Sequence, residues 1–381
     1  MKFFGDTGAN RVRKGADRPR ILVVRLSAMG DVLHALPAAA RLKQALPRLE
    51  LTWAVHERWR ALLEDNPCVD RLITLPLDRW RAEPFRGATW REIRACRAML
   101  REHRFDVTID FQGLVKSAAV TFYSRADRVF GFSGKEIREP IAASFYSNRV
   151  SSSKPHVIEK NLDLAHAVIE SLQAGWDARG VAARDSVQVP LPAGRPEAHL
   201  PAEDFVLTSP FAGWKAKEWP PEYFAELAAT LYRETGLPLV IDCAPGQEHE
   251  ARRIVERAPA GACRLHPSSL EGLIAATRRA RAVIGVDSGP LHLAAALGRP
   301  GVAIYGPTDP ARNGPYSPTF QVLRDDAAIT SYKHEDRATA AMLAIRPADV
   351  WNVLGPILRP KGTPDTGHAD AVRPLRAAGI T

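Results

Sequence analysis

A strand pattern followed by a small-residue turn and a helix pattern constrains the fold of this chain most. Residues 21–26 form a β-branched and aliphatic run of the kind that fills a buried strand. The turn Ser27-Ala-Met-Gly30 follows, and apolar residues then recur at helical spacing from Asp31 onward. Strands that alternate with helices in this way build parallel sheets covered by helices. We therefore predict an α/β fold.

The same alternation recurs in both halves of the chain. In the first half, the patterns predict strands over 51–55, 71–75 and 107–110, and helices over 57–63, 90–103 and 157–172. In the second half, they predict strands over 205–209, 239–243, 282–286 and 301–305, and helices over 223–234, 248–256, 270–279, 291–297 and 348–354. Two separate series of this kind predict two α/β domains.

The segment between the two series is rich in Ala, Arg, Gly and Pro and lacks periodicity, which is typical of a linker. The predicted organisation is a flexible basic arm (1–19), a first Rossmann-like domain (20–175), the linker (176–202), a second Rossmann-like domain (203–345), a helix that crosses back to the first domain (346–358) and a disordered tail (359–381). Open α/β sheets bind ligands at the carboxyl ends of their strands. We therefore expect a site in a cleft between the domains.

Composition narrows the class of protein and its compartment. The 381 residues are 45% hydrophobic and 25% charged, which is ordinary for a globular protein, and the net charge of +9 favours an anionic partner. The four cysteines form no CxxC pair, as expected for reduced thiols. No secretory signal and no apolar run long enough to span a membrane is found in the sequence. We expect a cytoplasmic protein that can dock on a membrane surface.

One candidate anion site is the segment Asp287-Ser-Gly-Pro-Leu-His292, where a predicted strand gives way to a helix. The free N–H groups of a helix N-terminus attract anions, Gly289 allows close approach of a ligand, and Ser288 adds a hydroxyl donor. A pyrophosphate would fit there. The alternative is an Asp/Ser helix cap with a purely structural role, and a buried core position for His292.

A second candidate is the loop Ala212-Gly-Trp-Lys-Ala-Lys217-Glu-Trp-Pro220, which follows the first strand of the second domain. Ala212 and Gly213 allow the backbone to approach a ligand, and Lys217 can neutralise a phosphate leaving group. A solvated basic loop is the alternative. Neither the GxGxxG nor the GxxxxGK[ST] phosphate motif occurs, and no D-x-D cluster for a divalent metal is found. The sequence therefore predicts no metal.

Asp31 lies on the first turn of the first domain, directly after Gly30. A carboxylate there can accept the proton of an attacking hydroxyl. Its position alone favours an acid that only stabilises a helix dipole. Basic and aromatic side chains in the same domain suit an acceptor that carries carboxylates or phosphates; they include Arg79, Trp80, Arg81, Lys116, Lys135, Arg138, Arg149, Lys154 and His156.

Taken together, these motifs resemble those of the lipopolysaccharide heptosyltransferases, and within them the type I enzymes. The segments that carry the resemblance are Ser27-Ala-Met-Gly-Asp-Val-Leu-His-Ala-Leu-Pro37, Asp110-Phe-Gln-Gly-Leu-Val-Lys-Ser117, Arg138-Glu-Pro-Ile-Ala-Ala-Ser-Phe-Tyr146, Lys217-Glu-Trp-Pro220, Asp287-Ser-Gly-Pro-Leu-His292 and Tyr305-Gly-Pro-Thr-Asp309. The likeness covers roughly residues 20–355.

The resemblance implies a GT-B fold, with the acceptor domain first and the nucleotide-sugar domain second. It also implies an inverting transfer of L-glycero-D-manno-heptose from ADP-heptose to the inner Kdo of Kdo-lipid A. No metal or other cofactor takes part, and the enzyme works at the inner leaflet of the cytoplasmic membrane without contact to nucleic acid. Alternatives are the type II activity, another nucleotide sugar, or a non-catalytic sugar-nucleotide or lipid-binding module.

The resemblance also assigns roles to individual residues. Asp31 and Lys217 are the implied catalytic pair, with Asp31 as the base. The implied nucleotide-sugar contacts are Ala212, Gly213, Lys217, Gln247, Glu248, Asp287, Ser288, Gly289 and His292. The implied acceptor contacts are Ser27, Gly30, Arg79, Arg81, Gln112, Lys116, Arg138 and His156. Ala212-Gly213 stands where the best-known type I enzymes have paired threonines, and Ser288 stands where threonine is frequent.

Overall fold

A computed structural model describes residues 18–173, 190–197, 200–331, 333 and 335–359. Its contacts divide the chain into two compact units: residues 1–27, 35–154 and 158–190 form the first, and residues 28–34, 155–157 and 191–381 form the second. The arm predicted over 1–19, much of the linker over 176–202 and nearly all of the tail over 359–381 lie outside the described residues.

The first unit contains a six-stranded sheet in the order β3-β2-β1-β4-β5-β6, in which every neighbouring pair is parallel. Its strands are β1 (Arg20–Val24), β2 (Glu50–His56), β3 (Arg71–Leu75), β4 (Val107–Asp110), β5 (Arg128–Phe132) and β6 (Asn148–Val150). Its helices are α1 (Met29–Ala45), α2 (Leu77–Ala82), α3 (Gly87–Glu102), α4 (Val115–Ser124) and α5 (Val157–Gln173), with 3₁₀ turns at Glu57–Leu62 and Pro140–Phe145. The first residues of α1 and of α5 group with the second unit.

The second unit repeats the plan with the sheet order β12-β11-β10-β7-β8-β9, again parallel throughout. Its strands are β7 (Val206–Ser209), β8 (Leu239–Cys243), β9 (Cys263–Pro267), β10 (Ala282–Val286), β11 (Gly301–Tyr305) and β12 (Phe320–Arg324). Its helices are α6 (Pro221–Thr235), α7 (Glu248–Val255), α8 (Leu270–Arg279), α9 (Gly289–Ala296), α10 (Pro310–Asn313), α11 (Ala340–Ala344) and α12 (Pro347–Leu358), with a 3₁₀ turn at Lys215–Lys217.

The two parallel six-stranded sheets confirm the two-domain α/β prediction. Six of their inner strands are buried along their whole length. Every residue of β2, β4, β7, β8, β10 and β11 is buried. Helices on both faces of a parallel sheet produce this burial, which is why the strands read as continuous apolar runs. The patterns missed β5, β6, β9 and β12, which lie toward the sheet edges and have less continuous apolar runs.

The last helix is the one that the sequence predicts to cross back to the first domain over residues 346–358. In the structure, α12 buries its apolar side in the second unit. Val350, Leu354 and Leu358 belong to that unit's core, and the helix contacts α6, β10 and β11. These residues recur at a spacing of four, so they form one stripe that the sheet and α6 cover. No helix among the described residues is long and apolar enough to cross a membrane.

Candidate active site

Asp287 and Lys217 form a buried ion pair at the carboxyl edge of the second sheet. Strand β10 pairs in parallel with β7, so the segments that follow both strands emerge at the same edge. The Lys217 ammonium lies 3.0 Å from Asp287 Oδ2, with side-chain exposures of only 12% and 5%. Lys217 also lies over the Trp214 ring, 4.6 Å from its centroid. The pair therefore fixes the position of the lysine at the start of α9.

Asp287 has two more partners besides the lysine. Asn313 Nδ2 donates to Asp287 Oδ1 at 3.0 Å, and His292 Nε2 lies 3.5 Å from the same oxygen. Burial alone would raise the pKa of Asp287, but the His292 hydrogen bond and the Lys217 charge outweigh it and hold that pKa well below its usual range. The carboxylate stays charged at any physiological pH, and it organises three polar side chains.

The N-terminus of α9 carries a buried hydroxyl. Ser288 occupies the N-cap position, yet its side chain does not cap the helix. Its Oγ is buried and has no hydrogen-bond partner among the described residues. A buried hydroxyl without a partner is costly, and such groups are typical of places where a ligand completes the bonding. The hydroxyl lies at the helix N-terminus that the sequence predicts to bind an anion.

The first turn of α1 belongs to the second unit and packs on this same segment. A Cβ added to Gly30 would lie 2.7 Å from His292 Cδ2, and one added to Gly289 would lie 2.6 Å from Met29 Sδ. The rings of His34 and His292 meet edge to face, with centroids 4.3 Å apart. Two of the sequence motifs, Ser27–Pro37 and Asp287–His292, are therefore in direct contact, and both glycines are needed for that approach.

Asp31 follows Gly30 in this turn and is half-buried. Its Oδ2 accepts a hydrogen bond from the Ala28 N–H at 3.0 Å. The carboxylate therefore stabilises the helix start, as the structural alternative expects. It does so next to the segment that includes Asp287 and His292. A capping role and a role in catalysis are compatible at this position.

His156 also belongs to the second unit. Its Nε2 lies 3.1 Å from the Gly314 carbonyl oxygen, and its ring stacks at a tilt against Tyr316 with centroids 4.8 Å apart. The structure therefore groups Gly30 and His156, two predicted acceptor residues, with the second unit.

Three predicted acceptor residues meet at the carboxyl edge of the first sheet. Residues Val24 of β1 and Asp110 of β4 are in register, so the turns that follow lie side by side. Gln112 accepts from the Leu26 N–H at 2.8 Å and donates to Ser27 Oγ at 3.2 Å. Lys116 Nζ lies 3.3 Å from the same hydroxyl. We call Ser27, Gln112 and Lys116 the Ser27 cluster.

Two further cations lie near the lysine of the Ser27 cluster. Partial burial lowers the pKa of Lys116, and the charges of Arg81 and Arg25 lower it further, whereas the charges of Glu139 and Asp78 oppose this lowering. Crowded cations of this kind are stabilised by an anionic ligand. Arg81 and Arg79 lie on α2, where Arg79 pairs with Glu92 at 3.1 Å. Arg138 is exposed, and the structure does not group it with the cluster.

The remaining donor-site candidates lie on two loops of the second unit. Gln247 accepts from the Ala244 N–H at 3.1 Å and Glu248 from the Gly246 N–H at 2.8 Å, so both side chains fold back on their own loop. The Ala212 N–H donates to Glu218 Oε1 at 3.2 Å. Gly213 is exposed, with open space around its Cα.

Asp110, which the sequence quotes only as part of a motif, anchors the loop of the Ser27 cluster. It is fully buried, and its Oδ1 accepts from the Gln112 and Gly113 N–H groups at 2.8 and 3.2 Å. Its Oδ2 lies 2.7 Å from Ser117 Oγ and 2.8 Å from Tyr146 OH. Burial raises the pKa of Asp110, and these donors oppose that rise. Asp110 is a positioning residue.

We expect Asp110→Ala to weaken acceptor binding more than donor binding. The two N–H groups lose their partner, so the Gln112 loop loosens and the free energy of unfolding falls by about 2–3 kcal/mol. The KM for the acceptor should rise about tenfold or more at unchanged donor KM. Tyr146→Phe, which removes one donor and keeps both N–H bonds, is the matched control with a mild effect. Equal rises in both KM values would contradict the positioning role.

A second buried carboxylate, Asp242, lies near the end of β8. Ser209 Oγ donates to its Oδ2 at 3.0 Å and Ser268 Oγ to its Oδ1 at 2.6 Å. Burial raises the pKa of Asp242 to about 6, against the effect of the two hydroxyls. The folded state therefore binds a proton that the unfolded state releases, so stability falls as the pH rises from about 4 through the folded pKa near 6.

Asp242→Asn should remove this pH dependence. The variant should match the wild type in stability at about pH 4 and exceed it above the folded pKa, by an order of 2–3 kcal/mol. Urea unfolding across this pH range measures the difference. The matched control is Asp204→Asn, which makes the same change at an exposed carboxylate that pairs with Arg281 at 3.3 Å. A constant difference between Asp242→Asn and wild type at all pH values would show that the carboxyl does not titrate.

Sequence reasoning missed Asn313, Tyr305, Asp110 and Asp242 as parts of the site edges. Tyr305 OH lies 3.1 Å from the Asn313 carbonyl oxygen, and burial and the Asp287 charge raise the pKa of the tyrosine. The strand-end positions of Tyr305, Asp110 and Asp242 are a signal that a search of strand ends would have found. Asn313 gives no such signal because it lies at the end of helix α10 and not at the end of a strand. In the described part of the chain, no group of His, Cys, Asp or Glu has the geometry of a metal site.

Comparison with known proteins gives the class. The model of glycosyltransferase family 9 (heptosyltransferase) matches residues 93–341. Lipopolysaccharide heptosyltransferase 1 of Escherichia coli O18:K1:H7 is 32% identical over 336 residues, which are 85% of this chain and 100% of that protein. The chain therefore belongs to glycosyltransferase family 9, the heptosyltransferases, and is an enzyme of that family.

Two further relatives are similar over most of the chain. Lipopolysaccharide heptosyltransferase 2 of Salmonella typhimurium is 28% identical over 372 residues, or 90% of this chain and 99% of that protein. The structure of E. coli heptosyltransferase WaaC with ADP-2-deoxy-2-fluoro heptose is similar with a TM-score of 0.70 and 28% identity, and the match covers 88% of this chain and 99% of that one. The predicted GT-B fold and family are confirmed.

Proposed function

We propose that this enzyme transfers L-glycero-D-manno-heptose from ADP-heptose to the inner Kdo of Kdo-lipid A, with inversion and without a metal. The contact between the Gly30–Asp31 turn and His292 carries the proposal. Through this contact, the candidate base Asp31 lies near the carboxyl edge of the second sheet, where Lys217 and the N-terminus of α9 can bind an anion.

In the proposed reaction, the Asp31 carboxylate removes the proton from the acceptor hydroxyl as its oxygen attacks the anomeric carbon. The bond from that carbon to the phosphate oxygen breaks on the opposite face, and ADP leaves with the electron pair. Lys217, the Ser288 hydroxyl and the N-terminus of α9 stabilise the charge that grows on the diphosphate. Asp287 holds Lys217 in place, and the ammonium keeps further N–H donors for a phosphate oxygen.

The Ser27 cluster is the proposed binding site for the acceptor's anionic groups. Kdo carries a carboxylate, and Lys116 with the nearby charge of Arg81 supplies the cations that a carboxylate requires. Arg79 and Arg138 remain proposed contacts of the acceptor. On the donor side, Gln247 or Glu248 is proposed to contact the ribose, and Ala212 and Gly213 to line the approach of the diphosphate.

The comparisons support the proposed donor more directly than the proposed acceptor. The WaaC structure is described with an ADP-heptose analogue, which supports ADP-heptose as donor here. Identity to heptosyltransferase 1 is 32%, against 28% for heptosyltransferase 2, which favours the type I acceptor. We propose that the enzyme works in the cytoplasm at the inner face of the membrane that carries Kdo-lipid A.

The test is transfer from ADP-heptose to detergent-dispersed Kdo-lipid A, read as ADP release and as the mass of the lipid product. One added heptose is expected. Transfer only to an acceptor that already carries one heptose would assign the type II activity, and activity with another nucleotide sugar would replace the donor. Tight ADP-heptose binding without transfer to any acceptor would make the protein a binding module.

A further inference from the structure

An exposed apolar face covers α4 and the Pro140–Phe145 turn in the first unit. The exposed fractions are 47% for Val115, 56% for Phe122 and 64% for Ile141. The Phe122 and Phe145 rings meet edge to face with centroids 6.1 Å apart. We call these four side chains the apolar face. Large apolar side chains exposed in one patch are uncommon unless the patch binds something.

The face is one continuous surface because α4 packs directly on that turn. Ala118, one helical turn from Val115 and from Phe122, is buried with Ala142 and Ala143. The Val115 N–H donates to Glu139 Oε2 at 2.7 Å, which joins the start of α4 to the residue before the turn. Val115 and Phe122 lie on the same side of the helix as Ala118, and both stay exposed beside this buried contact.

Positive charge surrounds the apolar face. Residues 115–145 contain five basic and three acidic side chains. Lys116, Arg125, Lys135 and Arg138 are exposed; of the three acidic residues, Asp127 is exposed and Glu139 is engaged by the Val115 N–H. On the α3 side, the Arg97 guanidinium lies over the Tyr123 ring, 4.2 Å from its centroid. Apolar side chains within a basic surround are complementary to an anionic lipid surface, where rings enter the headgroup layer and cations meet phosphates.

We propose that the apolar face docks the enzyme on an anionic phospholipid bilayer. Phe122 and Ile141 enter the headgroup layer, and the surrounding cations bind lipid phosphates. Lys116 belongs to both α4 and the Ser27 cluster, so docking by this face presents the cluster to molecules held in the same bilayer. The purpose of docking rests on the proposed lipid-linked acceptor, but the docking itself needs neither donor nor acceptor.

The experiment is sedimentation of the full chain with vesicles of phosphatidylcholine and phosphatidylglycerol in equal parts, against vesicles of phosphatidylcholine alone. The wild type should bind the anionic vesicles preferentially, and salt should weaken the binding. The double variant Phe122→Gln/Ile141→Gln should bind about tenfold more weakly or worse, because two half-exposed apolar side chains no longer enter the lipid. Phe122→Trp should keep wild-type binding.

The matched control is Ile329→Gln/Leu343→Gln, which replaces two exposed apolar side chains of the second unit, 85% and 44% exposed. It should bind like the wild type. Equal binding of the Phe122→Gln/Ile141→Gln variant and the wild type would overturn the proposal, as would an equal loss in the control. If the wild type does not bind vesicles but forms a dimer that the double variant does not form, the apolar face is a dimer interface instead.

This outcome is separate from that of the proposed function. Transfer in detergent micelles tests the chemistry without a bilayer, and vesicle binding tests the face without turnover. Transfer in micelles combined with absent vesicle binding would refute docking alone. Vesicle binding without any transfer would refute the proposed acceptor and leave docking in place.

Discussion

Asp31→Asn should lower kcat for heptose transfer by about a thousandfold, because the amide cannot take a proton from the acceptor hydroxyl. The amide oxygen can still accept from the Ala28 N–H, as Asp31 Oδ2 does at 3.0 Å, so the helix start should persist. The donor KM and the thermal unfolding temperature should change little. Steady-state ADP release with Kdo-lipid A and calorimetry of the free enzyme measure these quantities.

Asp309→Asn is the matched control for this variant. Asp309 also lies at a helix start, where its Oδ1 accepts from the Ala311 N–H at 2.9 Å. It shares the capping role of Asp31 without the proposed chemistry, so its kcat should stay within about twofold of wild type, given the modest effect expected when an amide oxygen replaces a capping carboxylate. Near wild-type turnover by Asp31→Asn would leave Asp31 as a capping residue only.

Asp287→Ala is expected to have the largest effect on stability among the site variants. It leaves the Lys217 ammonium, 12% exposed, without its counter-charge, and it removes a partner from Asn313 and His292. Removal of one member of a buried pair costs about 3–5 kcal/mol. Urea unfolding near neutral pH should show this loss. Transfer should also fall, because Lys217 is no longer held at the start of α9.

A double-mutant cycle separates the charge from the packing. Lys217→Met in the Asp287→Ala background should recover a large part of the lost stability, because the unpaired cation is gone, while transfer stays low. Glu64→Ala is the surface comparison: it breaks the exposed Arg60–Glu64 pair of 2.6 Å and should change stability little, because water and salt screen exposed charges. A double variant that is less stable than Asp287→Ala alone would show that the buried lysine is not the source of the loss.

The architecture follows from the sequence because its strands are buried on both faces. Runs such as 21–26 and 282–286 have apolar content that a parallel sheet requires, and the glycine and proline breaks fix their ends. Edge strands such as β6, with only Asn148, Arg149 and Val150, carry too little apolar signal. The helix over 347–358 is correctly predicted as a helix. A helical pattern does not specify, however, which part of the fold the helix packs against.

The site is only partly predictable for a similar reason. Lys217 and Asp287 can each be predicted from strand-end position, but their 3.0 Å contact depends on the parallel register of β7 and β10. His156 is expected among acceptor residues because it is basic and lies in the first half of the chain. Its contacts with Gly314 and Tyr316 could not be predicted, because distance along the sequence does not show which loops meet in the fold.

The buried Ser288 hydroxyl links the stability of the free enzyme to its affinity for a ligand. A polar group that waits for a ligand weakens the free protein by about 1–3 kcal/mol, and a ligand that supplies the bond returns that free energy as affinity. Ser288→Ala should therefore melt higher than the wild type in the free state and gain less from added ADP. One side chain therefore sets a trade-off: the Ser288 hydroxyl lowers the stability of the free protein and raises the affinity for the proposed nucleotide donor.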